Sequence, residues 1–255
     1  MRTLKLTIAY DGTRYAGWQV QRGRRLTIQG TLERVLQQIL REGVRVIGSG
    51  RTDAGVHALA QVAHVKTHSA IASERFLRSL NALLPVDIAV TAIAQAPPSF
   101  HARFHAKRKR YRYRIFTAAV VPPFIRPYVH HVRYPLDVGL MRREAVVLRG
   151  RHDFRAFART GQARASTRRT ITSLALKRRG PELDVEIAGD GFLHTMVRSI
   201  AGTLLDIGRG RLPPGTMRQL LRRGERRLIG TVAPAKGLVL VNVEYDSPNK
   251  PRHSA

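Results

Sequence analysis

The chain has 255 residues, 43% of them hydrophobic, enough to bury a sizeable core in one large domain or two of ordinary size. It has no cysteine, which excludes disulfides, thiolate zinc sites and cysteine nucleophiles, and no apolar run of membrane-spanning length. Its 45 Lys plus Arg against 17 Asp plus Glu leave a net charge of +28, which points first to nucleic acid, because neutralising phosphates releases condensed counterions.

From the N-terminus, Leu4, Leu6 and Ile8 alternate with Lys5 and Thr7, so residues 4–10 read as a strand and not as a signal peptide. With the missing cysteines, this places the expectation in the cytoplasm. Leu32, Val35, Leu36, Ile39 and Leu40 share one face of a helix over 31–40. Strands follow at 44–47 and 60–66, then a helix over 73–84 with Phe76, Leu77, Leu80, Leu83 and Leu84 on its stripe and Pro85 as its stop, then a strand at 88–93. The remainder repeats this order, with a strand at 111–116, a helix at 137–148, strands at 171–176 and 183–187, a helix at 191–207 and a strand at 238–245. Residues 247–255 are polar and Pro-containing and read as a disordered tail. The pattern predicts an α+β fold of two similar ferredoxin-like halves, 1–105 and 106–246, each a split β-α-β arrangement also used by RNA-recognition modules. A basic cleft at their junction is the natural binding site.

Three segments carry chemistry. Gly48-Ser49-Gly50-Arg51-Thr52-Asp53-Ala54-Gly55-Val56-His57-Ala58 lies between two predicted strands, and its glycines imply a shaped loop. A carboxylate set there, in so basic a protein, is a candidate nucleophile or base. The glycine spacing fits neither a phosphate loop nor a dinucleotide fingerprint, and the ten histidines lack metal-ligand spacing. The second segment, Phe100 to Arg114, interleaves cations with aromatics as RNA-binding surfaces do. In it Tyr113 reads as core and Tyr111 as a base-stacking ring. The third is a helix with His194 and Arg198 four residues apart on a polar face, where Arg198 alone reads as a phosphate or surface contact. A carboxylate-pair hydrolase would need Asp11 or Asp153 beside Asp53. A non-catalytic RNA-binding protein is the chief alternative, although such a protein has no use for a carboxylate facing its polyanion.

With Tyr15-Ala16-Gly17-Trp18-Gln19, His152-Asp153-Phe154-Arg155-Ala156-Phe157 and Gly237-Leu238-Val239-Leu240, these segments give a sequence that resembles the TruA family of tRNA pseudouridine synthases over nearly its whole length. The resemblance implies the pseudouridine synthase fold, two halves joined in a continuous mixed sheet. It implies isomerisation of uridine to pseudouridine in the anticodon stem-loop of tRNA, at positions 38, 39 and 40, by a homodimer without cofactor or metal. It makes Asp53 the catalytic aspartate, Arg51 its ion-pair partner, Tyr111 the residue packed on the target base, Arg198 an RNA-contacting or conformational residue, and Leu238 part of the pocket wall.

Overall fold

The computed structural model describes residues 1–23, 25–159 and 166–246. The expected tail, 247–255, lies outside them. The first half runs β1 (Arg2–Tyr10), α1 (Ile28–Leu40), β2 (Ile47–Gly48), β3 (His57–Thr67), α2 (Ser73–Leu83) and β4 (Ile88–Ala96). The second runs β5 (Ala106–Phe116), β6 (His130–His131), α3 (Val138–Val146), β7 (Gly150–Asp153), β8 (Arg168–Arg179), β9 (Glu182–Gly189), α4 (Met196–Gly208), α5 (Thr216–Arg223) and β10 (Leu238–Tyr245).

One ten-stranded sheet carries both halves, in the order β4-β1-β3-β10-β5-β9-β8-β7, with β2 on β3 and β6 on β5. The first half therefore orders its strands β4-β1-β3-β2 and the second β10-β5-β9-β8, the same ferredoxin-like permutation twice. The last strand makes the join. β10 is antiparallel to β5 and parallel to β3, with Val239 opposite His57 and Leu240 opposite Ala58, so the sheet is mixed.

Alternation sets the faces. Leu4, Leu6 and Ile8 of β1 are fully buried, as are Tyr113 and Ile115 of β5, and all belong to one continuous core with the apolar stripes of α1, α2 and α4. Thr27 caps α1 by accepting from the Gly30 amide at 3.2 Å. Leu84, just before Pro85, is extended and ends α2, because a following proline disfavours helical backbone. Among the described residues no helix is long and apolar enough to cross a membrane.

Several elements differ from the sequence reading. The strand expected over 44–47 shrinks to Ile47–Gly48. Side chains of α1 take the preceding backbone groups: Glu33 accepts from the Val46 amide at 2.9 Å and Gln29 donates to the Val46 carbonyl at 3.1 Å. The last long helix starts at Met196 rather than Gly191, since Thr195 has a left-handed φ of 64°. Helix α5 was not anticipated. Its N-terminus rests on the buried Glu144 carboxylate, which accepts from the Gly215 and Met217 amides at 2.6 and 3.1 Å. Strand β5 begins at Ala106, earlier than expected, and four of its cations are matched across the sheet. Arg108 and Arg110 reach Glu244, Arg112 reaches Glu186, and Arg114 reaches Glu182. Those arginines are paired within the sheet and are not a free track for phosphates.

Candidate active site

Asp53 sits in the loop between β2 and β3. The loop is shaped from below by the segment Tyr15 to Gln19. The Trp18 amide donates to the Thr52 carbonyl at 3.1 Å, the Tyr10 hydroxyl bonds the Thr52 hydroxyl at 2.9 Å, and the Gly55 amide donates to the Tyr15 carbonyl at 3.3 Å. Gly17 has φ +95°, and a Cβ there would stand 2.7 Å from the Thr52 carbonyl, so only glycine fits. Three further bonds hold the start of the loop: the Ser49 hydroxyl to Gln61 Oε1 at 2.6 Å, Gln61 Nε2 to the Gly50 carbonyl at 3.1 Å, and Lys109 Nζ to the Ser49 carbonyl at 2.6 Å.

Both carboxylate oxygens of Asp53 meet the second half of the chain. Arg198 Nη1, in the first turn of α4, lies 2.9 Å from Oδ2, and His194 Nε2 lies 3.3 Å from Oδ1. The Asp53 and Arg198 side chains are only 19% and 20% exposed, so the bond is shielded from water and stronger than a surface pair. The expected ion pair with Arg51 is not made. Arg51 is exposed, and its Nε donates to Gln19 Oε1 at 3.2 Å. The resemblance implied Arg51 as the partner; the fold brings in the Arg198 guanidinium from 145 positions away.

Arg198 is itself braced. Its Nε donates to the Ala233 carbonyl at 2.8 Å, and its own carbonyl accepts from the Ala233 amide at 3.1 Å. The strap 229–235 lies along α4, held further by the Gly230 amide on Thr203 and the Thr231 amide on Asp206 at 3.1 and 2.7 Å. It approaches so closely that a Cβ on Gly202 would stand 1.6 Å from the Thr231 carbonyl. Gly202→Ala is therefore expected to destabilise the protein by about 1 to 3 kcal/mol or more and to lower turnover by shifting Arg198. Thermal unfolding and a turnover assay on the same preparation check this, and an unchanged midpoint with unchanged turnover would contradict it.

Tyr111 is buried on β5, edge-on to the Phe192 ring at 5.1 Å and 83°. Burial first, then the neighbouring Tyr10 and Asp53, push its phenol well above its usual value, so the ring enters any chemistry as a neutral aromatic. Leu238, at the start of β10, is buried opposite Tyr113, while Leu240 is the residue opposite Tyr111. Asp11 and Asp153 are engaged elsewhere. Asp11 accepts from the Tyr128 hydroxyl at 2.9 Å and faces His57 Nδ1 at 3.0 Å, and Asp153 accepts from the Thr167 hydroxyl at 2.6 Å. Neither is a second acid for Asp53.

His194 received no role from the sequence, although its spacing from Arg198 put both on one face. The Lys109 contact gave no local signal at all, because it joins two segments 60 positions apart.

The chain matches the family described as tRNA pseudouridine synthase over residues 6–105 and 145–246. It is 44% identical over 245 residues to tRNA pseudouridine synthase A of Acetivibrio thermocellus, covering 96% of this chain and 100% of that one. With the protein of that name from Pelobacter propionicus it shares 46% identity over 245 residues, at the same coverage. With that of Halalkalibacterium halodurans it shares 46% over 240 residues, 94% of this chain and 91% of the other.

Proposed function

We propose a substrate and a mechanism from one premise: the chain belongs to the tRNA pseudouridine synthase family. It isomerises uridine to pseudouridine in tRNA, and the uridines at positions 38, 39 and 40 of the anticodon arm are its targets. The reading is carried by one observation. A glycine-shaped loop of the first half presents a carboxylate whose two oxygens each meet a side chain of α4 or its approach in the second half.

The reaction is an internal rearrangement. The bond from the sugar C1′ to uracil N1 breaks, a bond from C1′ to C5 forms, the C5 hydrogen leaves as a proton, and N1 regains one. Electrons balance without a redox partner, so the proposed mechanism uses no cofactor. The target nucleotide leaves the stem-loop and enters the seam between residues 1–105 and 106–246. There the Tyr111 ring packs on the uracil, a contact of about 1 to 3 kcal/mol for an aromatic on a base, and Leu238 closes the wall. Asp53 acts on the sugar, as nucleophile at C1′ or as base beside it, and Arg198 aims it. Arg51, exposed at the loop, contacts the RNA. The same reading makes the protein a cytoplasmic homodimer acting on tRNA. A purely RNA-binding protein would have no need of a shielded carboxylate held in this way.

Loss of the C5 hydrogen gives the test. A tRNA transcript labelled with tritium at uracil C5 should release label to solvent in proportion to the uridines it carries at 38, 39 and 40. A transcript with cytidine at those positions should release none. Equal release from both would refute the positional assignment, and release from neither would refute the activity.

A further inference from the structure

We infer that His194 is the base that takes the hydrogen from uracil C5. The inference rests on the pseudouridine reading above and assigns the one proton transfer that the reading left without a residue.

The reaction needs such a base. Once the C1′–C5 bond has formed, C5 still carries its hydrogen, and the ring regains its C5–C6 double bond only when that hydrogen leaves as a proton. The C5–H electron pair moves into the ring, N1 takes a proton from water, and the base then hands its own proton to solvent. Few groups at the site can serve. Among the described residues, Arg198 and His194 are the two basic side chains in contact with the Asp53 carboxylate. A guanidinium is always protonated and accepts nothing. The buried Tyr111 phenol, held well above its usual value, keeps its own proton and is no better. An imidazole has a nitrogen free to accept.

His194 also stands in the correct place. Its segment runs between the ring that packs on the base and the carboxylate that acts on the sugar. Phe192 lies edge-on to Tyr111 at 5.1 Å between ring centres, and two residues further His194 Nε2 lies 3.3 Å from Asp53 Oδ1. A uracil packed on Tyr111, with C1′ at Asp53, therefore presents the carbon newly joined to C1′ near that imidazole. Catalytic contacts are often long before the substrate arrives and tighten around it.

The backbone is shaped to hold it there. Thr195 has a left-handed φ of 64°, and Arg41 is the one other non-glycine residue with positive φ among those described. That conformation is costly for a β-branched residue, and it turns the chain between His194 and the first residue of α4. The Arg159 amide donates to the His194 carbonyl at 3.2 Å, and the Met196 amide to the Leu193 carbonyl at 3.1 Å. A route for the proton exists as well. The His194 side chain is 36% exposed against 19% for Asp53, so a proton taken on one ring nitrogen can leave from the other to water. The imidazolium forms beside Asp53, which is a carboxylate again once the C1′–C5 bond has closed.

The test converts a tRNA transcript deuterated at uracil C5, beside an unlabelled one, in single turnover with wild type, His194→Gln and His194→Ala. Both variants should bind tRNA as the wild type does and form pseudouridine about tenfold to a hundredfold more slowly, the low end for a base that water can replace. Deuterium should slow both variants more than it slows the wild type, because C5–H cleavage has become the slow step. Added imidazole should recover part of the rate of His194→Ala. A wild-type rate in His194→Gln would overturn the inference. So would a slower variant whose isotope effect matches that of the wild type, which would make His194 a brace for Asp53. A wild type that forms no pseudouridine would overturn the reading beneath it.

Discussion

Asp53→Asn is expected to lower single-turnover pseudouridine formation by about a thousandfold to ten-thousandfold while leaving tRNA affinity within about threefold of the wild type. The substitution preserves size and one acceptor oxygen, so Arg198 keeps a partner, but an amide is neither a base nor a nucleophile at the sugar. Affinity should hold because RNA is bound by cations, and a carboxylate facing phosphates contributes repulsion if anything. Single-turnover conversion and filter binding on the same protein separate the two effects. Appreciable turnover by Asp53→Asn, or a large loss of affinity without a loss of rate, would move the chemistry to another residue.

Arg198→Ala is the second large effect, a fall in turnover of about a hundredfold to a thousandfold with a smaller change in affinity. One guanidinium joins the Ala233 carbonyl to Asp53 Oδ2, so its removal takes away one of the bonds between the strap and α4 and leaves the carboxylate with His194 alone. Breaking a shielded, charge-assisted contact should also lower stability by about 1 to 3 kcal/mol. Arg198→Lys should recover only part of the rate, since a lysine cannot reach two acceptors in the fixed geometry of a guanidinium. Arg51→Ala should act mainly on affinity, because that side chain is exposed and bonded to Gln19. A larger loss of rate in Arg51→Ala than in Arg198→Ala would favour the pairing that the resemblance implied.

That contrast marks where the sequence was legible. Alternation and helical spacing revealed β1, β3, β4, β8, β9, β10 and the stripes of α1 and α2, because the burial period is written locally. The Asp53 loop was legible because its glycines are required by the backbone: a Cβ on Gly48 would lie 2.6 Å from the Trp18 ring, and Gly55 has φ +76°. The partner of Asp53 was not legible, since it arrives from α4 through the join of β3 and β10, and nothing near Asp53 encodes it. Shorter pieces failed for a related reason. Residues 44–46 are extended in composition, but Val46 surrenders its backbone groups to Gln29 and Glu33, and α5 depends on a carboxylate 71 positions earlier. Four arginines of the basic segment were misread as free cations, because the acids that pair with them lie on neighbouring strands.

The most direct test is to map pseudouridine in unmodified tRNA after incubation with wild-type protein and with Asp53→Asn, without added metal or nucleotide. The expected result is pseudouridine at positions 38, 39 and 40 with the wild type and none with the variant. Conversion by both proteins, or by neither although both bind the tRNA, would contradict the assignment of Asp53 as the catalytic group of a tRNA pseudouridine synthase.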